Sequence, residues 1–443
     1  MANDIKILKN QVNELTVVFL LIAVILGTLL RISLIIIYPL IAIFVAAYFR
    51  LRVSHSLLML LGLAGTSTFL SFFPHLFWRY KAFSLFYMLP FLLLLFADPG
   101  KERFKNINLL DIFMKCLAFV ALINDLVGFM QVIRHPGSDD SFTGIYSQFS
   151  ISLNGLMLLN AVIFFYYFVK YIYLKHTANL FISLFFLLSA VLCFYGAGLA
   201  VCIVAFIMSF FSINVKSFFK TFFGGILSII LIYFLMMMIK PDTLNYNITN
   251  IKKLSSFNGS NGARKLTSFY NYFISYPLNA KDFLFGSGPG TYNSRSAFMV
   301  GSPSYFREVS FIKDTEQPYY FKHYAYSLWN EKNTIQSLYL DGFRNQPFSS
   351  ILAFLGEYGI LFTAAFVFLY FMHYRRMAKL YSLYKNDPQI STSFRLLKFL
   401  ILLLPLLLLI DNYFEYPEIM LLILLGLKTA EINLFTKMQA NAA

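Results

Sequence analysis

Leu284-Phe285-Gly286-Ser287-Gly288-Pro289-Gly290-Thr291-Tyr292 and Ser350-Ile351-Leu352-Ala353-Phe354-Leu355-Gly356-Glu357-Tyr358-Gly359-Ile360-Leu361 stand on the two sides of the boundary that decides the fold. The first lies inside a polar interval running from Lys240 to Phe348, and the second opens the apolar run that follows. The rest of the chain reads as apolar, helix-length segments joined by short basic loops. The interval is therefore a large loop on a membrane scaffold, and any chemistry has to be sought there.

Composition supports that reading. Of 443 residues, 58% are hydrophobic and 13% charged, with a mean hydropathy of +0.66; soluble domains have roughly 45–50% apolar and about 25% charged residues. The chain reads as an all-α polytopic integral membrane protein. Its 52 phenylalanines and 29 tyrosines fit lipid-facing surfaces and interfacial aromatic belts. A net charge of +15 would suggest nucleic acid in a soluble protein. Here much of it sits in short loops, where it is topogenic, and no nucleic-acid partner is expected. Cys116, Cys193 and Cys202 all lie in apolar segments, so no disulfide framework or thiolate metal site is indicated. The first apolar run, Leu15 to Leu30, has no small-residue cleavage site and leads into a second run; it reads as a retained span.

A hydrocarbon core of about 30 Å needs roughly 20 apolar residues per helix. That rule places spans near 15–31, 32–49, 55–73, 82–97, 109–130, 148–169, 178–195, 197–213, 221–239, 349–372, 394–411 and 417–435, about twelve in all. The chain thus divides into helices 1–9 (1–239), the loop (240–348), and helices 10–12 with a tail (349–443). Gly196 to Gly198 reads either as a tight interhelical turn or as a kink. Arg50, Arg52, Lys101, Arg103, Lys105, Lys170, Lys175, Lys216, Lys220, Arg375 and Arg376 then fall on one side. The positive-inside rule makes that side cytoplasmic, so both termini face in and the large loop faces out.

Within the loop, Leu266, Phe269, Tyr270, Phe273 and Ile274 recur at helical spacing, which predicts an amphipathic helix against the outer membrane surface or the top of the bundle. A second helix is expected from about Glu331 to Tyr339. Gly286, Gly288 and Gly290 permit a tight turn or close backbone approach to a ligand. No Lys-Ser/Thr follows them, so they are not a nucleotide fingerprint; taken alone they are a turn. Arg264, Arg295, Arg307 and Arg344 share the loop and could bind phosphates bidentately, or could be solvated charges and headgroup anchors. Candidate bases are His323, Asp314, Glu316, Glu331, Asp341 and Glu357. Glu357, about two turns into the tenth span, is functional by default, with a structural partner role as the alternative. Asp411, Glu415 and Glu418 cluster at the end of the last hairpin, as rim charges or as acidic partners of Arg264 or Arg344. No paired-ligand spacing supports a metal, and no nucleophile elbow supports Ser-His-Asp hydrolysis.

The order of spans, the late outward loop, Gly262-Ala263-Arg264-Lys265, the two quoted stretches and Phe142-Thr143-Gly144-Ile145-Tyr146 together resemble the O-antigen polymerase and ligase superfamily. The resemblance implies a GT-C-type membrane glycosyltransferase architecture in the bacterial cytoplasmic membrane, acting on its outer face. It implies a glycan donor on undecaprenyl pyrophosphate and inverting transfer without metal or cofactor; membrane lipid and a chain-length regulator are the further partners. Ligases of this family carry a His-Asn pair upstream of the Glu-x-Gly glutamate, where this chain has Phe348-Ser349. That departure favours polymerase over ligase. Arg264 and Arg344 match the family's functional arginines, and the catalytic set becomes Arg264, Arg344, Glu357 and His323. Gly286, Gly288, Gly290, Tyr292, Arg295 and Tyr270 are the expected substrate contacts. A lipid-linked oligosaccharide flippase is the alternative of another class, disfavoured because nearly all the arginines lie in loops.

Overall fold

The structure, a computed structural model, describes residues 14–29, 37–72, 77–100, 104, 107–135, 142–145, 153–193, 195–210, single or paired positions between 230 and 249, then 264–275, 279–303, 311–330, 346–384 and 386–442. The described residues form helices α1 (Glu14–Leu29), α2 (Ile37–Tyr48), α3 (His55–Leu70), α4 (Trp78–Phe96), α5 (Leu109–Arg134), α6 (Leu153–Leu174), α7 (Thr177–Leu192) and α8 (Gly196–Phe210). Within the loop lie the short helices α9 (Arg264–Tyr270), α10 (Ala280–Phe285) and α11 (Arg295–Gly301). The chain closes with α12 (Ser350–Leu383), α13 (Pro388–Ile410) and α14 (Pro417–Ala442). Among the described residues there is no strand, only an isolated bridge between Arg52 and Asp98.

Six of these helices, α4, α5, α6, α12, α13 and α14, are long and apolar enough to cross a membrane. α1, α2, α3, α7 and α8 are apolar but shorter. The expected span near 221–239 lies almost entirely outside the described residues. Local chemistry sets the ends: Asp387 caps α13 by accepting from Gln389 and Ile390 backbone N–H at 2.7 and 3.2 Å, with Pro388 in the first turn. On α5, Phe119, Leu122, Ile123, Leu126, Met130 and Ile133 are exposed at helical spacing, a lipid-facing stripe.

α14 is the axis. Its stretch Pro417–Thr436 is 94% buried inside the protein, so it is wrapped by helices and not by lipid; α13, α5, α4, α1, α2 and α6 all pack on it. The Gly196 region resolves as a turn. Tyr195 meets Tyr413 in the α13–α14 connection, hydroxyl to hydroxyl at 3.2 Å, while Arg395 near the start of α13 donates to the Ser209 carbonyl at 2.7 Å. α8 therefore runs from one end of the bundle to the other.

The two ends differ. One carries the loop helices. At the other, Arg52 and Asp98 exchange backbone hydrogen bonds of 2.8 and 2.9 Å, and Arg376 pairs with Asp98 at 2.8 Å. Arg52 and Arg376 thus share an end, as the topology read from the loop charges requires. Nearby, fully buried Lys428 pairs with Glu431 at 2.5 Å and donates to the Ala97 carbonyl at 2.7 Å. Removing one member of a buried pair strands the other charge. Glu431→Ala is expected to cost roughly 3–5 kcal/mol, and the Lys428→Met/Glu431→Leu double variant much less, as read from unfolding curves in detergent.

Candidate functional site

α12 is interrupted about one turn from its start by a π-turn, Phe354–Tyr358. Such a turn releases carbonyls from the helical ladder, and each buried one needs a donor. The glycine segment supplies them: Ser287 N–H donates to the Gly356 carbonyl at 2.8 Å and Gly288 N–H to the Glu357 carbonyl at 3.0 Å. Ser67 of α3 donates its hydroxyl to the Glu357 carbonyl at 2.9 Å. The approach is close enough to require glycine on both sides. Gly286 has φ +79°, and a Cβ there would lie 2.3 Å from the Glu357 backbone; Gly359, also at +79°, would collide with the Leu284 carbonyl at 2.4 Å. Gly288 lies against Ser71 and Lys81, and Gly290 against the Tyr80 carbonyl.

The Glu357 side chain completes the clasp. Its Oε2 accepts from Gly290 N–H at 2.6 Å, and its Oε1 from Tyr292 and Ser294 N–H at 3.1 and 3.0 Å. The carboxyl group is fully buried, and three backbone donors engage both of its oxygens. Tyr292 is buried in a cluster with Tyr272 and Leu352, and Gly356 leaves room for its ring.

Ser294 then caps α11, accepting from Ala297 N–H at 3.1 Å, and α11 packs on α4. Ser296 donates its N–H and hydroxyl to Glu415 at 3.2 and 2.8 Å. Burial pushes the Glu415 carboxyl up, and the Ser296 hydrogen bonds and the Arg295 charge oppose that shift. Arg295 lies over the Tyr416 ring at 4.2 Å. A void of about 10 Å³, lined by Ser294, Ser350, Glu357 and Glu415 among others, separates the two carboxylates. It has room for about one water, not a sugar.

Around the clasp lie several cations. Buried Lys265 donates to the Phe348 carbonyl and faces Asp411, whose carboxyl burial pushes up against the opposing pull of Lys265. Asn293 donates to Ser268 and to the Pro347 carbonyl at 3.0 Å each, and Asn412 donates to the Asn293 carbonyl at 2.7 Å. Arg264 lies 5.4 Å from the Trp329 ring centre, and Trp329 packs on Phe348 at 5.7 Å. Lys81 on α4 donates to the Ser71 carbonyl at 2.6 Å, beside Gly288.

The structure thus gathers Arg264, Arg295, Glu357, Tyr292 and the three glycines at one end of the bundle. His323 is exposed on a separate π-turn, Phe321–Ala325, with Nδ1 held by the Tyr319 carbonyl at 2.9 Å. Tyr270 is 52% exposed. Arg344, Arg307, Glu331, Asp341 and the expected helix near 331–339 lie outside the described residues. The acidic hairpin meets cations, but Asp411 faces Lys265 and Arg295. The loop helix, expected to lay its stripe against the outer membrane surface or the bundle top, turns Tyr270, Phe273 and Ile274 of that stripe away from the bundle. Its buried face is Lys265, Ser268 and Tyr272, while Tyr270, Phe273 and Ile274 point outward. Lys265 and Ser268 hydrogen-bond into the bundle, and Phe269 of the stripe packs beside Tyr272. Phe348 and Ser349 are a core ring and the cap of α12. No family model and no curated protein matches this chain.

Two measurements check this site. Glu357→Ala leaves three buried N–H groups unpaired, each worth about 1–3 kcal/mol, and is expected to lower the melting temperature more than Glu357→Gln, which keeps one acceptor. Loss of activity in Glu357→Gln with an unchanged melting temperature would assign the carboxylate to chemistry instead. Burial also pushes the Lys265 ammonium from 10.5 down to about 8, with Asp411 opposing. Between those values the unfolded chain holds the extra proton, so this group makes stability rise with pH. Lys265→Met is expected to flatten that rise in melting curves taken across the interval.

Proposed function

We propose that the chain is a polysaccharide polymerase that joins undecaprenyl-pyrophosphate-linked oligosaccharide units at the outer face of the bacterial cytoplasmic membrane. The observation that carries this reading is the gathering of Arg264, Lys265, Arg295 and Lys81 around the glycine clasp, at the end of the bundle where the loop helices lie. A donor whose pyrophosphate sits at the headgroup level would meet partly exposed Arg264 there, with the buried charges of Arg295, Lys265 and Lys81 behind it. In this reading the scaffold has about twelve spans and a GT-C-type architecture, and Arg344 joins Arg264 as a second phosphate contact.

The reaction is a displacement. A hydroxyl oxygen of the acceptor sugar bonds to the anomeric carbon of the donor, the carbon–oxygen bond to pyrophosphate breaks with its electron pair, and the hydroxyl proton passes to solvent. The anomeric configuration inverts. Negative charge develops on the leaving group, where positioned guanidinium donors lower the barrier; one such donor is worth roughly 3–4 kcal/mol. Pyrophosphate leaves readily, so positioning and electrostatics carry most of the acceleration. That is compatible with a Glu357 already engaged with the backbone. The ligase reading has less support, because Phe348 and Ser349 serve packing and capping.

Purified protein given lipid-linked repeat units is expected to yield a ladder of longer glycans. Arg264→Ala is expected to slow it by about 100-fold or more with little change in melting temperature. Products confined to single units, with folded protein and correct substrate, would sink the polymerase reading. Transfer to a lipid A core acceptor would restore the ligase.

A further inference from the structure

Away from the clasp, a second polar cluster lies inside the bundle. Asp125 on α5 is fully buried, about two and a half turns from the end of that helix at Arg134. Its Oδ1 accepts from the amides of Asn124 and of Asn160 on α6 at 3.4 and 3.3 Å, and the Ser189 hydroxyl of α7 faces the same carboxyl. Asn124, Asn160 and Ser189 are also fully buried. Among the described residues, Asp125 Oδ2, Asn160 Oδ1 and Ser189 Oγ have no well-formed hydrogen bond, and no Lys, Arg or His forms an ion pair with Asp125. The Phe142–Ile145 segment closes over this cluster. Gln131 Oε1 accepts from Thr143 N–H and Gly144 N–H at 3.1 and 2.7 Å, and Gly144 sits where a Cβ would overlap the Asn124 amide.

We propose that Asp125, Asn160 and Ser189 form an intramembrane binding site for a small monovalent cation, with Na⁺ as the ion to test. A carboxylate in apolar surroundings needs a compensating charge. Oxygens of a carboxylate, an amide and a hydroxyl, drawn from three helices, are a hard donor set. One carboxylate balances one positive charge, which favours a monovalent over a divalent ion. Which amide atom of Asn160 points inward follows from the occupant, since the two ends of an amide have nearly the same shape. The ion would tie α5, α6 and α7 together beneath the 142–145 segment.

The test is thermal unfolding of the full-length protein in detergent or nanodiscs, with NaCl replacing choline chloride at constant ionic strength. The expected result is a saturable rise in melting temperature with Na⁺ that is absent in Asp125→Asn. Ser189→Ala, a milder change, is expected to shift the Na⁺ midpoint upward several-fold while the protein stays folded. A wild-type melting temperature that ignores the exchange, or an Asp125→Asn protein that keeps the rise, overturns the site. So does stabilisation by acid alone in Na⁺-free buffer, which would make Asp125 a protonated, purely structural residue.

Discussion

One buried carboxylate and two released carbonyls hold the loop to the bundle. The π-turn in α12 is costly unless its buried carbonyls find donors. The 286–294 segment answers with Ser287 and Gly288 N–H for the carbonyls and Gly290, Tyr292 and Ser294 N–H for the Glu357 side chain. Each partner satisfies groups that the other would leave unpaired. From this clasp the rest of that end follows: Ser294 starts α11, α11 brings Ser296 to Glu415, and Asn293 links α9, the α12 entry and the 411–416 connection.

The sequence made much of this legible. Apolar length and basic loops located the membrane scaffold, and the polar interval located the site. The glycines and Glu357 were both singled out, yet their mutual contact was not visible, since Gly290 and Glu357 are far apart in the chain and nothing in either motif names the other. The face of α9 was beyond reach for a different reason. Helical spacing shows that Tyr270, Phe273 and Ile274 share a stripe, but beside a membrane an apolar stripe can face lipid as well as protein. The hydrogen bonds of Lys265 and Ser268 with Phe348 and Asn293 decide it. Lys265 itself carried no signal, because a lysine beside an arginine at a loop helix reads as a surface charge.

The two ends of the bundle handle buried charge differently. Opposite the loop, Lys428 and Glu431 compensate one another directly and are enclosed by helices. At the loop end, Glu357 and Glu415 are compensated mainly by backbone N–H and hydroxyl groups. A carboxylate paired with a cation would cancel the positive field of its neighbourhood. A carboxyl held by neutral donors instead fixes the backbone, with Arg295 close enough to Glu415 and Asp411 to act on both.

Asp125 differs from Glu357 in kind, although both are acids buried in helices. The carboxylate of Glu357 has three backbone donors shared over both oxygens, so its capacity to accept is met by groups that cannot leave. Asp125 has two long amide bonds on one oxygen and none on the other, with Asn160 Oδ1 likewise unmet. Neutral amides and a hydroxyl face this carboxyl, and among the described residues no cation pairs with it. A packed helix interface tolerates such a grouping when a further species bridges the oxygens. Glu357 is thus closed by short bonds from groups that cannot leave, whereas Asp125 has long amide bonds and one oxygen without a well-formed hydrogen bond among the described residues, and the difference lies in the quality of the donors and not in burial.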